Sequence, residues 1–540
     1  FTSSALSKSA MRWLCALNLL HLAHLRHVFA APGGNKAYQI RQDAVQKLFD
    51  DLEPSVLKLT DPQNIYHFCG QKLDHEDETN QKTWCQRFVI DARYYKPGGP
   101  VFLCIDGEDN PWAPSVGLPH LMTCNNMAHL AESGRLHALL MGLEHRYYGG
   151  KAFDGVMNFS VENLKFLSSR QALADAAHFR SYASTAKLVV QSPTGEQQLD
   201  LADAKWVTFG GSYSGALSAW ARQQYPEHFD AAVASSAPIQ SEMNFKGYHD
   251  VVASSLAAPT VGGAVQCLST ITNGHAQLGE LLKTDLGKRS LEKKFRLCGQ
   301  NPLDNLQNVA GWAGFGVITS NQYNSNRCPT TSCNIKLLCG NLSSMRKAVP
   351  SDLDALVLLQ QYQQKEMEIS GIAPEPCIDV SWQSYLDSMK IIEKHDDATN
   401  FFRLWTYQLC TEWGNFITCD EESNCPFTRG YNTMELWFEM CQEVYNISKA
   451  DVLENVRRTN AFYGGTKFPE GSHVIFPNGE VDPWHWLSVL VPPRHDVDTI
   501  FVKGASHCEW MQAEWESMPE AHRSSKISIQ RKIEYWLQVN

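Results

Sequence analysis

The sequence predicts an α/β protein in which both ends of the chain build one parallel sheet and a long helical segment is inserted between them. Short apolar runs alternate with helical patterns up to about residue 237, then vanish between about 238 and 445, then return near the C-terminus. At 540 residues the chain is longer than one core supports, which calls for two domains or one domain with a large insertion. A composition that is 43% hydrophobic and 19% charged is globular, and a net charge of −11 offers no basic face to a nucleic acid.

Taken in order, the chain opens with a segment that reads as a targeting signal over 1–31. Met11-Arg12 precedes WLCALNLLHLA and the small residues around Val28-Phe29-Ala30-Ala31, while the ten residues before Met11 read as upstream read-through or a truncated start. No later stretch reaches the ~18 apolar residues a membrane span needs, so no span is expected. Residues 86–90 (QRFVI) and 100–105 (PVFLCI) read as strands joined by Pro97-Gly98-Gly99, and Asp106-Gly107-Glu108-Asp109 is a loop at a strand's C-terminal end. A helix is expected over 122–133, a strand in ALLMGLEHRYYG, and a helix over 162–182. These elements divide the mature chain into a first sheet part at 38–237, an inserted helical cap at 238–445 and a second sheet part at 446–540.

Sixteen cysteines, of which Cys15 lies in the targeting segment, suit an oxidising compartment. Asn158-Phe-Ser, Asn341-Leu-Ser and Asn446-Ile-Ser are glycosylation acceptors consistent with that route. The odd count leaves one thiol unpaired, and Cys104, inside an apolar strand, is the candidate. Cys328, Cys333 and Cys339 have no histidine at zinc spacing, so disulfides and not a metal are expected of them.

The stretch 206–220, WVTFGGSYSGALSAW, carries the chemistry. A short buried strand meets Gly210-Gly211, Ser212 sits on the bend, and a helix reads from Ala216 to Gln224. A serine on such a strand-to-helix turn is exposed at the sheet's C-terminal edge, where the next backbone N–H can face a developing oxyanion. The usual G-x-S-x-G spelling departs here, with Ser214 in the fifth position and Gly215 after it. Late in the chain, 473–476 runs into Pro477-Asn478-Gly479-Glu480-Val481-Asp482-Pro483-Trp484, and 499–502 runs into Lys503-Gly504-Ala505-Ser506-His507-Cys508. Ser212, Asp482 and His507 therefore follow the Ser…Asp…His order of α/β-hydrolases, which narrows the fold to an α/β-hydrolase with a large, mostly helical cap domain between nucleophile and acid. Serine needs an imidazole to take its proton, and the imidazole needs a carboxylate to fix its tautomer. No metal or cofactor is implied. Ser214, Ser235 and Ser236 rival the nucleophile, Glu480 rivals the acid, and His473, His485 and His495 rival the base.

From roughly Phe68 to the C-terminus, and least between about 247 and 376, the chain resembles a known family. GGSYSGALSAWARQQYPEHFDAAVASSAP, LEHRYYGGKAF, LKFLSSRQALAD, NGEVDPWHWLSV and GASHCEW are similar to lysosomal Pro-Xaa carboxypeptidase, dipeptidyl peptidase II and thymus-specific serine protease. CTEWGNFITCDEESNCPF is most similar to the thymus-specific branch. The resemblance implies a serine peptidase acting on short peptides, typically with proline before the scissile bond, in an acidic vesicle or on the secretory route, with dimers among relatives. It implies Ser212 as nucleophile, Asp482 as orienting acid, His507 as base, Trp484 as the wall of an apolar pocket and Tyr213 as an oxyanion donor. The second donor, Gly107, and a substrate contact, Glu108, are expected from the 106–109 loop. There relatives typically carry G-G-E-G, and Asp106 and Asp109 beside an oxyanion oppose its charge, which predicts slow or narrow activity. An esterase on the same fold and a non-catalytic peptide-binding module are the alternatives. The triad alone does not choose among acyl groups, whereas a binding module has no need of Ser212, Asp482 and His507 together.

Overall fold

The computed structural model describes residues 65–108, 124–132, 135–192, 195–318, 322–369, 376–396, 398–512 and 517–538. The expected targeting segment and Asp109 lie outside them. Eight strands form the main sheet: β1 (Ile65–Lys72), β2 (Thr83–Asp91), β3 (Val101–Ile105), β4 (Leu139–Leu143), β5 (Trp206–Gly211), β6 (Ala231–Ser235), β7 (Val474–Gly479) and β8 (Val497–Val502). Their spatial order is β1-β2-β4-β3-β5-β6-β7-β8. From β4 to β8 all neighbours are parallel, as the alternation of strands and helices predicts. The two leading strands instead run antiparallel, β1 to β2 and β2 to β4.

β3, β4 and β6 are buried at every residue, which is why they read as unbroken apolar runs. Their side chains still alternate between faces. Phe102, Cys104, Val207, Phe209, Val233 and Ile475 share one core, which also takes in Ile529 and Ile533 near the C-terminus. Val101, Leu103, Trp206, Ala232, Val474 and Phe476 share another on the opposite face. Fully burying such an aliphatic or aromatic side chain contributes about 1.5–3 kcal/mol.

Three helices follow the first strands: α1 (Asn125–Glu132), α2 (Ser169–Thr185) and α3 (Tyr213–Gln224). The helix expected over 162–182 is broken. A single turn, Val161–Leu164, ends before Ser168, whose side chain accepts from Gln171 N and starts α2 afresh. The strand expected in ALLMGLEHRYYG stops at Leu143, and β7 runs on through Asn478 and Gly479.

Between β6 and β7, which pair Ala232 with Val474, the chain is mostly helical. It forms α4 (Gly247–Ala257), α5 (Val265–Leu282), α6 (Asp285–Phe295), α7 (Ile335–Ala348), α8 (Asp352–Ile369), α9 (Trp382–Met389), α10 (Phe401–Gln408), α11 (Met434–Tyr445) and α12 (Lys449–Tyr463). Two three-residue strands, Glu242–Asn244 and Gly414–Phe416, pair in parallel within it. The packing splits this segment in two. Residues of α4 to α8 build a separate core that also takes in Val481 and Leu487, whereas Trp382, Trp437 and Tyr463 join the core on one face of the sheet. The last helix, α13 (Glu520–Trp536), returns to the opposite face through Ile529 and Ile533. Among the described residues no helix is long and apolar enough to cross a membrane.

Seven disulfides are present among the described residues: Cys69–Cys85, Cys104–Cys124, Cys267–Cys339, Cys298–Cys377, Cys328–Cys333, Cys410–Cys441 and Cys419–Cys425. Cys104 is therefore not the unpaired thiol. It faces the same core as Cys124, just before α1, and bonds to it there. The free cysteine among the described residues is Cys508.

Candidate active site

Ser212 follows β5 with φ 62°, in the left-handed region that side chains rarely enter. Gly210 before it is required by the backbone it faces, and Gly211 is closely packed by side chains. A Cβ on Gly210 would lie 2.1 Å from the Ser214 carbonyl oxygen, and one on Gly211 would lie 2.8 Å from Cys508 Sγ. Ser212 N donates to Ser235 O (3.0 Å), tying the turn to β6. α3 begins at once with Tyr213, not at Ala216, so the N–H groups of its first turn have no intrahelical partner.

Asp482 and His507, the expected acid and base, come from the loops after β7 and β8. His507 Nδ1 lies 2.8 Å from Asp482 Oδ1, with both side chains at most 3% exposed. A carboxylate only accepts, so Nδ1 carries a proton, which leaves Nε2 as the nitrogen that gains or loses one. Trp484 N donates to the same Oδ1 (3.0 Å). Nε2 is buried and makes no hydrogen bond to nitrogen or oxygen, so the Ser212 hydroxyl is not bonded to it in this state. Burial alone would push the His507 imidazole down. The Asp482 carboxylate, and next the Cys508 side chain, outweigh it and hold the imidazole well above its ordinary value.

The rivals are occupied elsewhere. Ser214 Oγ donates to Ile105 O, Ser235 Oγ accepts from Trp510 Nε1 (3.2 Å) and Ser236 Oγ accepts from Cys508 N (3.0 Å). Glu480 accepts from Gly504 N (2.8 Å). His485 Nδ1 meets Gly479 O (2.8 Å), the His473 ring stacks 5.6 Å from Trp536, and His495 is exposed.

Gly107 is buried against the first turn of α3. A Cβ there would lie 3.1 Å from Ser214 N, tighter than an ordinary contact, so glycine eases the close approach of this loop to the elbow. Asp106 is buried beside it and Glu108 is half-buried. The charge of Asp106 acts on Glu144, helping to raise that residue's pKa behind the first and larger cause, burial.

Trp484 stands 6.3 Å from the His507 ring, between Phe245 (5.3 Å) and Tyr248 (5.8 Å), two aromatic residues of the inserted segment. Sequence reasoning missed the residue that joins these parts, Gln322. Its carbonyl oxygen accepts from His507 N (3.0 Å), its Oε1 accepts from Trp484 Nε1 (2.6 Å), and its Nε2 donates to the hydroxyl of Tyr323 (2.9 Å). No local pattern marks a glutamine for this task. Behind the elbow, the Tyr213 hydroxyl meets His145 Nε2 (3.0 Å) and accepts from Gln408 Nε2 (3.1 Å). Gln408 in turn donates to Glu412 (3.0 Å), which accepts from both N and Oγ of Ser169. His145 and Glu412 lie inside the quoted motifs LEHRYYGG and CTEWGNF, the one signal that could have found them. Of the three acceptor asparagines, Asn446 is exposed at the end of α11, while Asn158 and Asn341 are half-buried in local hydrogen bonds.

The sheet order, with an elbow serine after β5, defines an α/β-hydrolase. The model of the family described as serine carboxypeptidase S28 matches residues 71–529, and the chain belongs to this family of serine peptidases. Human thymus-specific serine protease (Homo sapiens) is 29% identical over 94% of this chain and 92% of its own, and the mouse protein of that name (Mus musculus) is 31% identical over 86% of each. Human lysosomal Pro-X carboxypeptidase is 25% identical over 84% of this chain and 85% of its own.

Proposed function

We propose that this serine peptidase cleaves peptides by an acyl-enzyme mechanism carried by Ser212, Asp482 and His507, that it prefers proline before the scissile bond, and that it acts at chain ends. The observation that carries it is the buried Asp482–His507 pair at 2.8 Å, its Nε2 without a nitrogen or oxygen partner, on the same sheet edge as a serine held at φ 62°. In the first step the Ser212 hydroxyl attacks the substrate carbonyl as Nε2 takes its proton. Asp482 stabilises the imidazolium, which fits the raised affinity of His507 for a proton. The backbone N–H groups of Tyr213 and Gly107 receive the oxyanion. His507 then protonates the leaving amine, and water repeats the sequence in reverse to release the acyl group.

Support for proline comes from the shape of the wall. Proline is compact, apolar and lacks an N–H, so it packs on Trp484, Phe245 and Tyr248 without leaving a donor unpaired. Seven disulfides and a relative named lysosomal support a secretory or lysosomal location. A fluorophosphonate probe should label the protein and fail on Ser212→Ala. A peptide-library digest with both cut sites and termini mapped should show cuts after proline near an end. Labelling that persists in the variant, or ester turnover without peptide turnover, would overturn the assignment.

A further inference from the structure

Every cysteine among the described residues but one is in a disulfide, and the exception stands beside the catalytic histidine. Cys508 has φ 56° and its N–H donates to Ser236 Oγ (3.0 Å), which fixes the turn. This turn carries Sγ across to β5, 2.8 Å from where a Cβ on Gly211 would be, directly before Ser212. The same side chain acts on the imidazole and favours its protonated form, after the larger contributions of burial, which opposes it, and Asp482. The imidazole beside it is the second part of the site, and the Cys508 side chain hydrogen-bonds with it. His507 Nε2 is buried, its side chain 3% exposed, and it has no nitrogen or oxygen partner, because Asp482 occupies Nδ1. The imidazole therefore stands between the Asp482 carboxylate and the Cys508 thiol, next to the turn that carries Ser212. A thiol beside an imidazole is a far better nucleophile than serine, and Cys508 is partly exposed.

We propose that Cys508 is a thiol–disulfide exchange site through which a small-molecule disulfide reversibly switches the peptidase off. His507 Nε2 takes the S–H proton, and the thiolate attacks one sulfur of R–S–S–R. The Cys508–S–S–R bond forms as the old S–S bond breaks, and the departing R–S⁻ collects the proton from the imidazolium as R–SH. Cys508 is oxidised, one sulfur of the reagent is reduced, and no other oxidant enters. The R group then lies between Gly211 and His507, where the substrate's acyl carbon must sit. A free thiol reverses the exchange. The effect on activity rests on the catalytic reading given above; the exchange itself does not.

The test treats the purified full chain with oxidised glutathione and, in parallel, with a chromogenic aryl disulfide. Expected are one adduct, mapped by mass to the peptide containing Cys508, loss of at least ~90% of activity, and recovery with dithiothreitol. Cys508→Ser should form no adduct and keep its own starting rate under the reagent. His507→Gln should slow thiol release by at least ~10-fold, the loss of a general base. If wild type is not labelled by fluorophosphonate, the catalytic reading fails, yet adduct formation and its dependence on His507 still report on the exchange. The proposal is overturned by a native thiol that reacts only after unfolding, by equal exchange rates in wild type and His507→Gln, or by a stoichiometric Cys508 adduct on a fully active enzyme.

Discussion

On one side of the crevice, Ser212, Asp482 and His507 follow β5, β7 and β8, parallel strands whose ends line up along one edge of the sheet. On the other side, Phe245, Tyr248 and Gln322 come from a segment that folds on a core of its own, and Gln322 reaches Trp484 across 162 positions of sequence. Strand register aligns the first group, so its placement follows local rules of chain geometry. The second group is placed by packing alone. The difference teaches that the edge carrying Ser212, Asp482 and His507 is held by the sheet, while the aromatic wall facing it is held by the insertion and can vary without disturbing that edge.

The most severe way to break that division is Asp482→Asn. Kept in place by Trp484 N but unable to hold the Nδ1–H tautomer, it should lower kcat by ~10⁴-fold with KM little changed. A kcat within tenfold of wild type in a steady-state assay would show that the sheet edge does not carry the chemistry.

Next in size is Glu412→Gln, at the junction of insertion and sheet. Burial, against the opposing bonds from Ser169 and Gln408, pushes Glu412 from 4.5 up to about 7. The folded state thus keeps a proton that the unfolded chain gives up between these values. Its stabilising effect is complete below about pH 4.5 and is lost as pH rises through about 7, a change of roughly 3 kcal/mol. Glutamine is neutral throughout. Urea denaturation should therefore find the variant gaining on wild type between pH 5 and pH 8, and a constant difference would show that Glu412 does not titrate there.

Smaller effects should separate selection from catalysis. Trp484→Ala should raise KM for prolyl peptides by ~10-fold or more while short esters are turned over nearly as before, measured on matched substrates. Gln322→Leu, which removes the part-buried side-chain hydrogen bonds to Trp484 and Tyr323, should cost about 1 kcal/mol, or ~5-fold in kcat/KM. The mildest test is Asp106→Asn. Removing a buried negative charge beside the Gly107 loop should raise kcat by a few fold, and an unchanged or lower rate would count against the electrostatic reading of this loop.

Much of the sheet was legible because buried parallel strands such as VFLCI and WVTFG are written as apolar runs, and because each loop expected to carry a triad residue follows one directly. β1 was not, since IYHFCGQK is a mostly exposed edge strand with a register shift between Phe68 and Gln71 and no clean alternation. The start of α3 was misplaced because Tyr-Ser-Gly resembles a loop, whereas the glycine pair lets the helix begin directly after Ser212. Cys104 misled because a cysteine inside a buried strand looks like any small apolar residue, and its partner, Cys124, is brought near by tertiary packing. Gln322 carried no signal at all. A hydrogen bond between distant segments has no pattern to read.

The pairing of Ala232 with Val474 has a consequence for biosynthesis. During translation the nucleophile strand emerges long before the strands that bring its acid and base, with the whole helical excursion still to be made. A nascent chain thus carries Ser212 without Asp482 and His507, and the pairing that unites them closes a loop of long sequence separation. Ser212 is joined by Asp482 and His507 only after β7 and β8 have emerged and paired.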